Sequence, residues 1–282
     1  IGVVLDAGHP ASTAQQKLLT VLAGDINRIG GVHGRKLVFR TVAPARAGAE
    51  ADNVFALVAP QGAPPSGVAA GVPVVSVFPA ATPSASAFAL VASEADQVAA
   101  LKRFAAEEWG VVRVKDACAA KSGDTVLIVS VLCLDTARGA KRALMTQAMF
   151  ASIPPASRKT LPPETRIAIA APLSRVARNA QVSFAQTRSR TGNDKSAILA
   201  EADAYSAAAL LVEALMRTGR DVSREGLIET LEAVRGFEGG LTPPLTFGPN
   251  RHVGSRGAEI VRYDPKTATL AASGTWMDAN PR

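Results

Sequence analysis

The sequence predicts an α/β protein of two doubly wound lobes, the second reduced. Three observations predict it. The chain has 282 residues, and at about 150 residues per domain that length suggests two domains. Short, nearly continuous apolar runs alternate with stretches of helical periodicity, as parallel strands covered on both faces require. The alternation then restarts near Thr125, where a second, smaller sheet begins.

Residues 1–5 (IGVVL) form the first strand and run into Asp6-Ala7-Gly8-His9-Pro10. A helix follows over 13–29, because Leu18, Leu19, Leu22, Ile26 and Ile29 recur at three- and four-residue spacing. Gly30-Gly31 ends it, glycine tolerating the left-handed turn that closes a helix. Strands are expected at 36–42, 54–59 and 72–78, and a helix at 94–109. The second half repeats the pattern: a strand at 125–131, a helix at 136–150 and a strand at 166–171. Residues 152–164 carry four prolines and read as a connection. A long helix spans 202–218, with Ala207, Leu210, Leu211, Ala214 and Leu215 on one face and Gly219 beyond its end. Ser223 caps a further helix to about Val234, and residues 241–276 alternate short strands with turns.

Composition narrows the function. Hydrophobic residues make up 48% and charged residues 20%, enough apolar surface for a packed core. The uncharged stretch 53–93 is broken by six prolines, so it does not supply the roughly 20 unbroken apolar residues of a membrane span. Nine Phe, two Trp and two Tyr are too few for a base-stacking platform, so no nucleic-acid partner is expected. The net charge of +7 is local: residues 151–200 hold eight Lys or Arg against two acids, and read as a solvated basic face. Cys118 and Cys133 form no disulfide framework and have no metal-ligand spacing; one bridge or two thiols both fit. The chain opens inside a strand without an initiating methionine, as a chain trimmed by processing or truncation does, so a signal peptide would already be gone.

Catalytic signatures are lacking: no Gly-x-Ser-x-Gly elbow, Walker loop, His-Glu-x-x-His or pair of Cys-x-x-Cys occurs. Gly30-Gly31-Val32-His33-Gly34 follows a helix, whereas a dinucleotide fingerprint follows a strand. No enzyme activity, cofactor or metal is expected. Ligands of open α/β sheets bind beyond the carboxyl ends of the strands, and three loops there are rich in small or polar residues. These are the His9 turn, Ala59-Pro60-Gln61-Gly62-Ala63, and the run from Ser76 through Ala80, Ala81 and Thr82. Small side chains let a ligand approach backbone N–H groups, and hydroxyls add donors, which together hold a carboxylate without chemistry.

Four segments, in order, resemble one family. They are Asp25-Ile-Asn27-Arg-Ile-Gly30-Gly31-Val-His-Gly34-Arg35, Gly71-Val72-Pro73-Val74-Val75-Ser76 with Pro79-Ala80-Ala81-Thr82, Ala204-Tyr205-Ser206-Ala207, and Gly240-Leu241-Thr242 with Leu245-Thr246-Phe247-Gly248-Pro249-Asn250. Together they are similar to the leucine/isoleucine/valine-binding proteins, the type I periplasmic solute-binding components of ABC transporters. The resemblance implies two lobes joined by a three-segment hinge, taken as 1–108 plus 185–256 and 109–184 plus 257–282. It implies an exported, periplasmic monomer that traps a small solute and delivers it to a membrane ABC permease. By position, Ala81 and Thr82 would hold a ligand carboxylate, with Ala80, Ser76, Gln61, Gly62 and His9 around them.

The departures fall in the second lobe. Only about ten residues separate the segment ending at Val114 from the strand at 125–131, so a loop that supplies an aromatic contact is missing. After that strand, where the family places another aromatic, stands Leu132-Cys133-Leu134, which gives Cys133 the contact position. After 166–171 stands Pro172-Leu173-Ser174, with no carboxylate for an α-ammonium, and an unpaired buried ammonium is costly. The expected ligand is therefore an apolar or aromatic carboxylate, or a neutral amide, ahead of a branched-chain amino acid. The alternative is a ligand-sensing or protein-interaction domain on the same fold.

Overall fold

A computed structural model describes residues 1–9, 11–82 and 84–279. The chain divides into two compact units: 1–91 with 175–255, and 92–174 with 256–282. It therefore passes between them three times. Residues 1–91 carry β1 (Gly2–Val4), α1 (Ser12–Arg28), β2 (Arg40–Val42), α2 (Ala47–Glu50), β3 (Leu57–Ala59), β4 (Val74–Ser76) and β5 (Ala87–Ala89). Residues 92–174 carry α3 (Glu94–Trp109), β6 (Lys115–Asp116), β7 (Thr125–Leu127), α4 (Leu134–Ala137), β8 (Arg142–Thr146), α5 (Gln147–Ser152), α6 (Pro155–Arg158) and β9 (Glu164–Ile169). The chain then returns with α7 (Arg178–Arg188), α8 (Ile198–Thr218) and α9 (Arg224–Glu232), and closes with β10 (Gly257–Asp264), β11 (Thr269–Leu270) and β12 (Thr275–Asp278).

The first unit is a wholly parallel sheet in the order β2-β1-β3-β4-β5. Leu57, Val58, Val74, Val75 and Phe88 are almost completely excluded from solvent, as strands buried on both faces demand. On one face α1, α7 and α8 close around Leu5, Leu18, Leu19, Phe184 and Tyr205. Glu201 on α8 is fully buried, and it survives there because the Arg188 guanidinium lies 2.7 Å away and Thr191 and Asn193 donate to its other oxygen. Ser223 caps α9 by accepting from the Gly226 N–H, as its position suggests.

The second unit holds a sheet in the order β11-β10-β9-β8-β7-β6, with β12 on β10. Strands β6 to β9 run parallel, and β10 turns antiparallel against β9. Helix α3 covers one face with Ala100, Leu101, Phe104 and Ala105, which meet Leu127, Leu144, Ala168, Ala258 and Ile260. Its start is a full capping box between Ser93 and Asp96, and Gly110 ends it at φ 65°. The opposite face is closed by short pieces and by a disulfide between Cys118 and Cys133.

Four sequence expectations shift. The apolar face of α3 belongs to the second sheet, so the units part at residue 91 rather than 108. Ala180 and Phe184 of α7 pack into the first core, so the second break falls at 174 rather than 184. The third passage between the units falls after Ser255. The stretch expected as one helix over 136–150 is broken by β8, with the four-residue α4 before it and the six-residue α5 after it. Arg142-Ala-Leu-Met-Thr146 has the composition of a helix, and pairing on both sides with β7 and β9 overrides that preference. The basic segment is also less solvated than expected: Arg188 pairs with Glu201 and Arg190 with Asp25, while Arg158 lies over the Phe150 ring.

Candidate functional site

Because the first sheet is parallel, the carboxyl ends of β1, β3 and β4 lie along one edge, and their loops meet there. Side-chain hydrogen bonds lock them together. Gln61 accepts from the Asp6 N–H at 2.9 Å and donates to Ser12 Oγ at 2.7 Å and Gln15 Oε1 at 2.9 Å. Gln15, buried on α1, passes the connection on by donating to the Ala200 carbonyl at 2.9 Å. The Gly62 carbonyl accepts from both Val77 and Phe78 at 3.1 Å, and its φ of 146° is one that a side chain would strain. Buried Ser76 donates to the Phe78 carbonyl at 2.8 Å, turning the chain after β4. The amide and hydroxyl donors of Gln61 and Ser76 are thus spent on the framework.

What that framework holds out is Ala80, Ala81 and Thr82. They line a cavity of about 460 Å³, with Ala63, Pro64, Pro65 and Ser66 from the crossover after β3, Ser84 and Ser86 before β5, and Val74 and Ala87 at the strand starts. Such a volume suits a small organic ligand. The cavity exists because the two crossovers are not helical. Pro60, Pro64, Pro65, Pro73 and Pro79 remove N–H donors and fix φ, so irregular chain covers β3, β4 and β5 where a doubly wound sheet usually has helices. The wall carries no charged side chain, and among the described residues the exposed Thr82 hydroxyl has no hydrogen-bond partner. Small residues and four hydroxyls face apolar Pro, Val and Ala, a lining for a ligand with one polar end and an apolar body.

The other expected site residues sit elsewhere. His9 is exposed, and its Nδ1 accepts from the Ala11 N–H at 3.2 Å, a turn-forming role that leaves Nε2 carrying the proton. Cys133 is buried in the second unit's core, with its sulfur bonded to Cys118. Among the described residues, Asp116, Cys118 and Cys133 are the one group of such side chains close enough to share a metal. There the sulfurs are joined to each other, and Asp116 accepts from the Cys118 N–H.

Sequence reasoning missed Pro64, Pro65, Ser84 and Ser86 as wall residues; the proline spacing of the uncharged stretch was their only signal. Nor does the sequence give His252 a role. Its ring stacks on Phe88 at 4.4 Å and lies 3.1 Å from both the Ser84 carbonyl and Glu232 Oε1, so it anchors the chain beside the cavity. His33 is exposed in a turn, 2.9 Å from the Met216 carbonyl. Asp203 on α8 is half-buried with no hydrogen-bond or ion-pair partner among the described residues, and burial pushes its carboxyl up to about 7.

No protein-family model and no curated protein matches the sequence. Solved structures do. An ABC transporter substrate-binding protein from Desulfitobacterium hafniense, in complex with Leu, is 16% identical at a TM-score of 0.66, covering 98% of this chain and 99% of that one. A fatty acid ABC transporter substrate-binding protein from Thermomonospora curvata is 14% identical at a TM-score of 0.62, covering 99% and 90%. The branched-chain amino acid transporter substrate-binding protein LivJ from Streptococcus pneumoniae, in complex with isoleucine, is 15% identical at 0.60, covering 97% of each. The chain has the type I periplasmic-binding-protein fold. No helix among the described residues is long and apolar enough to cross a membrane.

Proposed function

We propose that the protein is an extracytoplasmic solute-binding component of an ABC uptake transporter, with no catalytic step of its own. Its ligand is a small carboxylate or amide with an apolar body, and a membrane permease receives it. The observation that carries this reading is the uncharged cavity lined by Ala80, Ala81 and Thr82 at the end of a parallel strand, in a fold shared with ABC substrate-binding proteins. In this reading the backbone N–H groups near Ala81 and the Thr82 hydroxyl hold the ligand's polar end, while Pro64, Pro65 and Val74 face its body. Gln61, Gly62 and Ser76 act as positioning residues. An uncharged wall offers nothing to neutralise an α-ammonium, which favours apolar acids and amides over free amino acids.

The test is native mass spectrometry of the purified protein, then a thermal-shift screen of aliphatic acids, aromatic acids, amides and amino acids. A true ligand at about 100 times its dissociation constant stabilises by about 2.7 kcal/mol. Thr82→Val keeps the side chain's volume and weakens the best hit by about 1–2 kcal/mol, the worth of one hydrogen bond, without lowering the melting temperature of the free protein. Unchanged affinity removes Thr82 from the site. The reading of the same fold as a sensory or interaction domain is favoured by the second unit, where α4, α5 and α6 have four, six and four residues. No co-purified ligand and no hit across the panel would select it.

A further inference from the structure

The second unit carries an arrangement of charge that the proposed solute site does not explain. Three arginines stand on one face of three adjacent strands: Arg142 on β8, Arg166 on β9 and Arg262 on β10. The register places Arg166 directly opposite Arg262 across the antiparallel pair, and sets Arg166 beside Leu144, two residues along β8 from Arg142. Like charges directly opposed in a sheet are destabilising. Arg142 has a carboxylate, Glu164 Oε2 at 3.4 Å. Among the described residues neither Arg166 nor Arg262 has an ion pair. The other acids nearby do not form one: Asp264 feels the Arg262 charge but spends its oxygen on the Lys266 N–H, and Glu108 stands exposed on the wall.

These side chains surround a hollow of about 270 Å³. Its walls are Arg166 and Arg262, the rings of Phe104 and Trp109 at the end of α3, Ile260, Glu108, and the Ser273-Gly274-Thr275 turn before β12. The Arg142 and Arg166 guanidinium carbons lie 4.9 and 5.4 Å from the Trp109 ring centre, so the indole supplies part of the missing negative potential. Burial lowers the pKa of Arg166 from its ordinary value; the Glu164 charge offsets part of that, and the Arg262 and Arg142 charges add to it. Half-buried and opposed by a second guanidinium, Arg166 stands where a neighbouring anion would be favoured.

The geometry points to a second binding site here, for a small monocarboxylate with an apolar body. Two guanidinium forks facing one hollow match the planar, bidentate geometry of a carboxylate, and an anion between them turns their repulsion into attraction. Phe104, Trp109 and Ile260 give the apolar body a floor, and the Ser273 and Thr275 hydroxyls border it. A doubly charged, fully hydrated anion such as phosphate would leave those apolar walls unsatisfied and would meet Glu108. All of these residues belong to the second unit, so the site is independent of Thr82 and its cavity.

Fluorescence tests it. The chain has two tryptophans, and Trp276→Phe leaves Trp109 as the single reporter. Hexanoate, which does not absorb in the tryptophan band, is titrated at constant ionic strength, with inorganic phosphate as the second arm. A saturable change with hexanoate is expected, weakened at least tenfold by Arg262→Gln, an exposed position that tolerates the change, and by Arg166→Gln. Adding Thr82→Val leaves it unaltered, which separates this site from the first. A response to hexanoate that does not saturate, or that persists in Arg262→Gln, overturns the site. An equal response to phosphate overturns the assignment to an apolar carboxylate.

Discussion

In the first unit the parallel sheet is backed by helices of 17, 11, 21 and 9 residues. Among the described residues of the second, only α3, with 16, exceeds six residues. Long helices let the first unit spend polar groups on precision: Glu201 pins α7 to α8, and Gln61 and Gln15 tie two loops to two helices. The second unit has less helix with which to cover its sheet, and it closes one face with a covalent link between two short turns. The difference teaches where a loop can be held still enough to present backbone donors. The framed loop of Ala80 to Thr82 lies in the unit that has the polar network, whereas the second unit's hollow depends on side chains standing on the strands themselves.

The largest effect expected from breaking this contrast is at Glu201. Glu201→Ala leaves the Arg188 guanidinium without its buried carboxylate, and such a loss costs about 3–5 kcal/mol. Urea unfolding measures it, and hydrogen exchange should show the loss concentrated in α7 and α8. A cost below about 1 kcal/mol, or protection lost first in β7 to β9, would mean that the network does not hold the first unit together. Next comes the second unit's own fastening. Reducing the bond between Cys118 and Cys133, 15 residues apart, should cost about 3 kcal/mol by releasing that loop in the unfolded chain. The exchange change should fall on β6, β7 and α4 while leaving the first unit's amides protected.

Those two effects also mark what the sequence makes legible. Helices α1, α3 and α8 are readable because their apolar stripes are wide and their ends carry Gly30, Ser93 or Gly219. Strands β1, β3 and β4 are readable as apolar runs, since burial on both faces leaves little other composition available. Strand β8 is not, because Arg142 to Thr146 owes its form to partners 17 residues before it on β7 and 22 residues after it on β9. Helix α7 is missed for a related reason: only Ala180, Phe184 and Thr187 are buried, too narrow a stripe to stand out among basic residues. The place of Ala80, Ala81 and Thr82 in the cavity wall is legible from their position after a core strand. The framework roles of Gln61 and Ser76 are not, because a side chain that faces a ligand and one that fastens the loop behind it look alike in sequence.

The smallest effect compares two carboxylates on one helix. Glu201 has three partners, while Asp203, two residues on, has none among the described residues and titrates at about 7, against 3.8 for the ordinary side chain. Its folded pKa lies above the unfolded one, so the folded protein holds the proton more tightly. The stability this provides is complete below pH about 4 and is lost as pH rises through about 7. Asp203→Asn removes the titration: at pH 4 variant and parent should be equally stable, and at pH 8 the variant should be firmer by about 2 kcal/mol, partial solvent contact reducing the full linkage value. Urea midpoints at the two pH values decide it. Curves that stay parallel would place the Asp203 carboxylate in contact with water or a cation, and the contrast with Glu201 would then be one of partner rather than of burial.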